Sequence, residues 1–229
     1  MEKEIPEDIY AERLKNMEKI RIWHQEQRAI RAINALKEHG FEALYVADRH
    51  QAHAELLNRI PASARVGVGG SMTIREIGIL AALEAQGNII YNHWKPGLSQ
   101  EEILNIRKAH LTCDIFLTST NALTIEGELV STDGIGNRVC AMTFGPQKVM
   151  IVAGINKLVP DIPSALQRIK NIATPQAIKE ADLAVPCIQT GFCADCNSPQ
   201  RACRATIILE RRPMLTDILI ILVGDNLGF

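Results

Sequence analysis

The chain has 229 residues, a formal net charge of −1, 47% hydrophobic and 22% charged residues, and only 4% aromatics. That length buries a sizeable core without staples, and the composition is that of a soluble protein packed with aliphatic side chains. The near-neutral charge offers no basic field to nucleic acid or to an anionic membrane surface, so neither partner is expected.

The opening residues, MEKEIPEDIYAERLKNMEKIRIWHQEQRAI, are charged throughout and lack the apolar core of a secretion signal. They predict a cytoplasmic protein with reduced thiols. No apolar run approaches the roughly 20 residues of a membrane helix. From Glu7 to His39, Leu14, Met17, Ile20, Trp23, Ile30, Ile33 and Leu36 recur near helical spacing before Gly40, which predicts one or two helices. Strands and helices then alternate: EALYVAD, an amphipathic stretch through Leu56, RVGVGG, a helix over Ile74 to Ala85, NIIYN, a helix near Glu101 to Ala109, and DIFLTST. Such alternation implies crossover units, hence an α/β fold with a mainly parallel sheet flanked by helices. The segment ALTIEGELVSTDG breaks the rhythm as a hairpin turning at Glu126-Gly127. KVMIVAGI resumes a buried strand, IPSALQRIKNIA a helix, and DILIILVG rejoins the sheet. Without repeats or linkers, a single domain over residues 1–229 is expected, with a helical segment at 7–39. A cysteine loop, 187–203, lies between a helix ending near Ala184 and the strand ATIILE.

Two constellations suit a ligand. In RVGVGGSMTIREIGIL a strand runs into Gly69, Gly70 and Ser71 and then into a helix beginning near Thr73. Free backbone N–H groups at such a junction can cradle a phosphate or carboxylate. The alternative is a tight turn capped by Ser71 or Thr73, with Glu76 closing a capping box. In STDGIGNRVCAMTFGP, Asp133, Gly134, Asn137 and Arg138 crowd between two strands. They form either a loop that brings backbone and an Asn/Arg pair against a ligand, or a turn with Asn137 in a left-handed conformation. His93 and Lys157 follow strands at an edge where ligands bind, while most of the other histidines are expected at the surface.

The third constellation is CIQTGFCADCNSPQRAC, in which Cys187, Cys193, Cys196 and Cys203 follow a C-x5-C-x2-C-x6-C spacing. Four thiolates satisfy a [4Fe–4S] cluster or a tetrahedral zinc, and Cys193/Cys196 alone could be a redox dithiol. The compact loop with unequal gaps favours the cluster, and disulfides are the weakest reading in a reducing compartment. Cys113 and Cys140 read as buried small residues in strands.

The segments VGVGGSMTIREIG, STDGIGNRVCAMTFGPQKVMIVAGINKLV and GFCADCNSPQRAC, in that order, resemble the LUD domain family, which includes the lactate-utilisation C-type proteins. The resemblance spans roughly residues 10 to 228 and is to stand-alone members that carry the cysteine loop. It implies a fold similar to ribose-phosphate isomerases, 5-formyltetrahydrofolate cyclo-ligases and CoA transferases, with the ligand over the strand ends. It also implies a pocket in which Glu76, Asp133, Arg138 and Lys157 are catalytic, and Gly69, Gly70, Ser71, Gly134 and Asn137 bind the ligand. Members of the family act in an iron–sulfur-dependent conversion of L-lactate to pyruvate. Three functions follow as expectations. The first is an iron–sulfur protein or oxidoreductase subunit, with the cluster on Cys187, Cys193, Cys196 and Cys203, a small organic anion or phosphate-bearing ligand, and a redox partner protein. The second is a non-redox enzyme using an open iron as Lewis acid, and the third a structural-zinc protein that only binds a ligand. A homodimer is the base-rate expectation.

Overall fold

The structure, a computed structural model, describes residues 7–229. The first six residues, with which the charged stretch read against a secretion signal begins, lie outside the described residues. A single helix, α1 (Glu7–Glu38), ends at Gly40, whose φ of +84° favours glycine, and leads into β1 (Glu42–Val46). Only its second half is anchored: Ala29, Ala32, Ile33 and Leu36 are buried, whereas Leu14, Met17, Ile20, Trp23 and Ile30 of the same apolar series stay exposed. Helix α2 (Arg49–Arg59) starts at Asp48, whose carboxylate accepts the Gln51 N–H at 2.9 Å, and precedes β2 (Arg65–Val68).

The helix predicted over Ile74 to Ala85 is two, α3 (Met72–Ile77) and α4 (Ile79–Gln86), because Gly78 adopts a left-handed φ of +72° between them. After β3 (Ile89–Asn92), α5 (Gln100–Ala109) is closed by a reciprocal Ser99/Glu102 capping box and leads to β4 (Ile115–Thr118). The hairpin β5 (Ala122–Thr124) and β6 (Leu129–Asp133) turns where expected, at Gly127. The segment read as an irregular loop contains a helix, α6 (Asn137–Thr143). Its left-handed residue is Gly136 rather than Asn137, and Cys140 is an exposed helical residue rather than a buried strand residue.

The strands β7 (Lys148–Gly154) and β8 (Leu158–Val159) follow, joined by one 3-10 turn. Helix α7 (Ile162–Arg168) continues through a π-turn into α8 (Thr174–Glu180), short of the end expected near Ala184. The short α9 (Cys187–Thr190) opens the cysteine loop, and β9 (Ala205–Leu209) and β10 (Asp217–Val223) complete the described elements.

Six strands form a parallel sheet in the order β1-β10-β7-β4-β2-β3, and β8-β5-β6-β9 form a smaller mixed sheet. Strands covered on both faces should be apolar at every buried position, and β10 is from Ile218 onward: Ile218, Ile220 and Leu222 enter one core with α1 and α6, while Leu219, Ile221 and Val223 enter the other with α2, α3 and α4. Of two hydrogen-bonded neighbours, β2 therefore sends its chain to one face through α3, and β4 sends its chain to the other through the hairpin and α6. A parallel sheet opens a crevice at such a switch point, outside the carboxyl ends of the strands. No helix among the described residues is long and apolar enough to cross a membrane.

Candidate functional site

The turns that leave β2, β4 and β7 converge at this switch point. From β2 come Gly70 and Ser71, from β4 Ser119, Thr120 and Asn121, and from β7 Lys157, all lining an inner chamber of about 130 Å³. Lys157 is 3% exposed, and its Nζ donates to Thr73 Oγ1 and to Ser119 Oγ, each at 2.9 Å. Both hydroxyls pass their own hydrogens on, Thr73 to the Leu227 carbonyl and Ser119 to that of Thr120. They can therefore only accept from the lysine. Two of its hydrogens are fixed, and the remaining tetrahedral position carries either the third N–H or a lone pair. Burial, reinforced by the Arg168 and Arg138 charges and opposed by Glu76, brings Lys157 down to about 7, so both forms are accessible near neutrality.

Arg138 enters from α6. Its Nε donates to Asp133 Oδ1 at 2.8 Å, Nη2 to Asn121 Oδ1 at 2.7 Å and to the Thr132 carbonyl at 2.8 Å, and Nη1 to the Ser119 carbonyl at 3.2 Å. Four of its five N–H groups are thereby committed, leaving one on Nη1. Asp133 is equally occupied, since its other oxygen accepts the backbone N–H groups of Arg138 and Val139 at the start of α6. Arg168, buried and held at about 10 by desolvation, donates to the Asn156 carbonyl at 3.0 Å and the Asn121 carbonyl at 2.6 Å, and has no ion-pair partner among the described residues. The inner chamber is thus lined by two cationic side chains, Lys157 and Arg138, and by the Glu180 carboxylate, with the Arg168 charge behind Lys157.

Gly70, Trp94, Asn121 and Arg138 also border an outer chamber of about 540 Å³, whose floor includes Asp133, Gly134 and Asn137. A Cβ on Gly70 would sit 2.9 Å from the Trp94 ring, so glycine lets the two approach. The guanidinium of Arg75 lies 3.6 Å from the centre of that ring. The far wall is the cysteine loop, through Pro199, Arg201 and Ala202. Ala202 rests on Gly134, where a Cβ would come within 3.0 Å of its Cα, and the Arg204 N–H donates to the Asp133 carbonyl at 3.0 Å.

Seven of the nine pocket residues expected from sequence, Gly70, Ser71, Asp133, Gly134, Asn137, Arg138 and Lys157, border the chambers. Two stand apart. Gly69 continues the β2 ladder to the Leu117 carbonyl and packs on Thr118. Glu76 is exposed and accepts the Gly228 N–H at 3.1 Å; Ser71, not Thr73, caps α3, so Glu76 closes no capping box. The histidines expected at the surface include one that is not: His110 is fully buried against His93 and Phe116, and burial takes His93 down to about 4. Sequence reasoning missed Ser119, Asn121, Trp94 and Arg168. The run Ser119-Thr120-Asn121 directly after an apolar strand was a usable signal, whereas Arg168 in its helix looks like any solvated arginine.

In the cysteine loop Cys187 is buried with Ile178 and Val185, with Cys196 packed against them, and Cys193, Cys196 and Cys203 are half-exposed free thiols. Burial raises the Cys187 thiol, and charge on Cys196, Cys203 and Cys193 raises it further, so all four lie within electrostatic reach. Arg201 ties the loop by donating to the Cys196 carbonyl at 2.6 Å, the Cys203 carbonyl at 2.9 Å and Asp195 at 2.9 Å. Among the described residues no group of three or more His, Cys, Asp or Glu side chains is arranged to hold a metal ion. The four sulfurs are neighbours of the right kind and number for a cluster, and their side chains do not converge on one point.

Fold and crevice together define a parallel-sheet α/β protein with a cation-lined cleft at its strand switch point. The LUD domain matches residues 30–223, and the chain belongs to the LUD-domain family. In fold it is similar to a DUF162 family protein from Deinococcus radiodurans, known from a crystal structure, with a TM-score of 0.50 and 14% identity over 87% of this chain and 98% of that one. A search of curated proteins gave no match.

Proposed function

We propose that this LUD-family chain is a cytoplasmic iron–sulfur protein that acts in the oxidation of lactate or a related small organic acid. The observation that carries this reading is the placement of a hydrogen-bond-fixed, buried Lys157 in a cation-lined cleft whose far wall is the cysteine loop. The carboxylate of the acid takes the third N–H of Lys157 and the free Nη1 hydrogen of Arg138, charge-assisted bonds in a site sheltered from water. Asp133 holds Arg138 in place, and Ser71 and Gly70 shape the chamber beside it. Cys187, Cys193, Cys196 and Cys203 are the ligand set for a [4Fe–4S] cluster, which supplies one-electron transfer. Oxidation of a 2-hydroxy acid to its 2-oxo acid releases two electrons and two protons, so a separate one-electron carrier protein must take the electrons onward.

Anaerobic purification followed by metal analysis and a visible spectrum tests the reading. A brown protein with iron and acid-labile sulfide in equal amounts, about four of each per chain, is expected. Stoichiometric zinc without visible absorption would overturn it.

A further inference from the structure

The two chambers differ in size and in chemistry. A water occupies about 30 Å³ in the liquid, so the inner chamber of about 130 Å³ is the size of roughly four waters, which suits a three- or four-carbon acid. The outer chamber, about 540 Å³, is of the size that holds a drug-sized group, and lactate alone would leave it empty. Gly70, Trp94, Asn121 and Arg138 border both, so the two chambers are adjacent.

The outer lining tells what such a ligand carries. Trp94, Ile135, Ile178, Leu183 and Ala202 give it an apolar patch, bordered by Asn137, Gln200, Arg201 and Arg204. The two arginines at its rim are anchored by part of their donors: Arg201 holds the Cys196 and Cys203 carbonyls and Asp195, and Arg204 holds the Arg201 and Pro199 carbonyls at 2.9 and 2.8 Å, which leaves two N–H groups on Arg201 and three on Arg204. Asp133 is bound to Arg138, so the outer chamber offers no unpaired carboxylate. Between these polar groups the outer chamber presents an apolar patch that includes an indole steadied by Arg75.

We infer that the crevice takes a 2-hydroxy acid larger than lactate, with its carboxylate in the inner chamber and an aromatic or other extended apolar substituent in the outer one. This rests on the organic-acid reading above. Burying a phenyl substituent against apolar side chains favours binding by tenfold or more.

Calorimetric titration of the full chain, purified anaerobically, with L-lactate and with L-3-phenyllactate tests it. Phenyllactate is expected to bind at least tenfold more tightly. Leu183→Trp, which fills the outer chamber, should bring the two affinities within about threefold of each other. Ile135→Glu, at a position 67% exposed and therefore harmless to folding, should do so by placing a charge beside the substituent. Equal or weaker binding of phenyllactate overturns the inference and leaves the organic-acid reading standing, as does a preference that survives both substitutions. Binding of neither acid overturns both.

Discussion

The Lys157 centre and the cysteine loop sit on opposite walls of one crevice and are built in opposite ways. Around Lys157 every hydrogen is placed: two hydroxyls accept from the lysine because each has donated elsewhere, and Arg138 retains one free N–H out of five. In the loop, backbone carbonyls are tied by Arg201, yet the four thiols that could bind a metal lie side by side without converging. A site held by its own hydrogen bonds keeps its shape whether or not a ligand is present. A site whose donors repel one another takes its final geometry from the group it binds.

Three experiments separate the walls. The largest effect is expected from Cys187→Ala: if Cys187 is a ligand, the variant loses or converts the cluster on anaerobic purification, whereas an intact [4Fe–4S] spectrum would show that the remaining three thiols suffice. Because Cys187 packs with Ile178 and Val185, the L-lactate affinity of the variant reports on how far the loop supports the Lys157 wall.

Next is Lys157→Met. Removal of one charge-assisted bond should weaken L-lactate binding about 30- to 150-fold by calorimetry. Thermal stability should hold or rise, because a desolvated cation is replaced by an apolar chain of similar length while Thr73 and Ser119 keep their onward bonds. A sharp fall in melting temperature with binding preserved would make Lys157 a structural residue.

The smallest effect is graded in pH. Unfolded, Lys157 holds its proton up to about its ordinary 10.5; folded, it releases it near 7. Between those values the unfolded chain binds more protons, so this lysine makes stability rise with pH, by at most about 1.4 kcal/mol per unit. Affinity for L-lactate should move the other way, falling up to tenfold per unit above pH 7 as the ammonium is lost. Lys157→Met should flatten both slopes, and an affinity that stays constant from pH 7 to 9 in the unaltered protein would sink the assignment of the carboxylate to Lys157.

How much of this was legible depended on whether a residue's role was local. Strand order along the chain, the turn at Gly127 and the apolar run of β10 follow from spacing and turn chemistry, which are properties of neighbours in sequence. The division between α3 and α4 did not, because a glycine inside an apolar helical pattern breaks the helix only if it takes a left-handed φ, as Gly78 does. The α1 stripe was misleading for a different reason: Ile33 and Leu36 meet the sheet, but Leu14 and Met17 lie beyond its edge with the same periodicity. In the site, Gly70, Arg138 and Lys157 announced themselves by lying in polar or glycine-rich turns after strands. Arg168 became visible only through burial, and Asp133, expected as a reactive carboxylate, proves to be bound to Arg138 and to the start of α6.

The position of β10 has a consequence for how the chain comes together during synthesis. Among the described residues it follows every other strand in sequence, yet it lies between β1 and β7, and it is the one strand with which β1 pairs. Until residues 217–223 have left the ribosome, β1 has no strand to pair with and β7 presents a bare, aliphatic edge, although α1 can already rest on the turn at Gly127. Unpaired edges of that kind are what chaperones shield and what drives misassembly. A nascent form of this protein should therefore be most vulnerable just before its final strand appears, and an early pause in translation of that segment would lengthen the exposure of both edges at once.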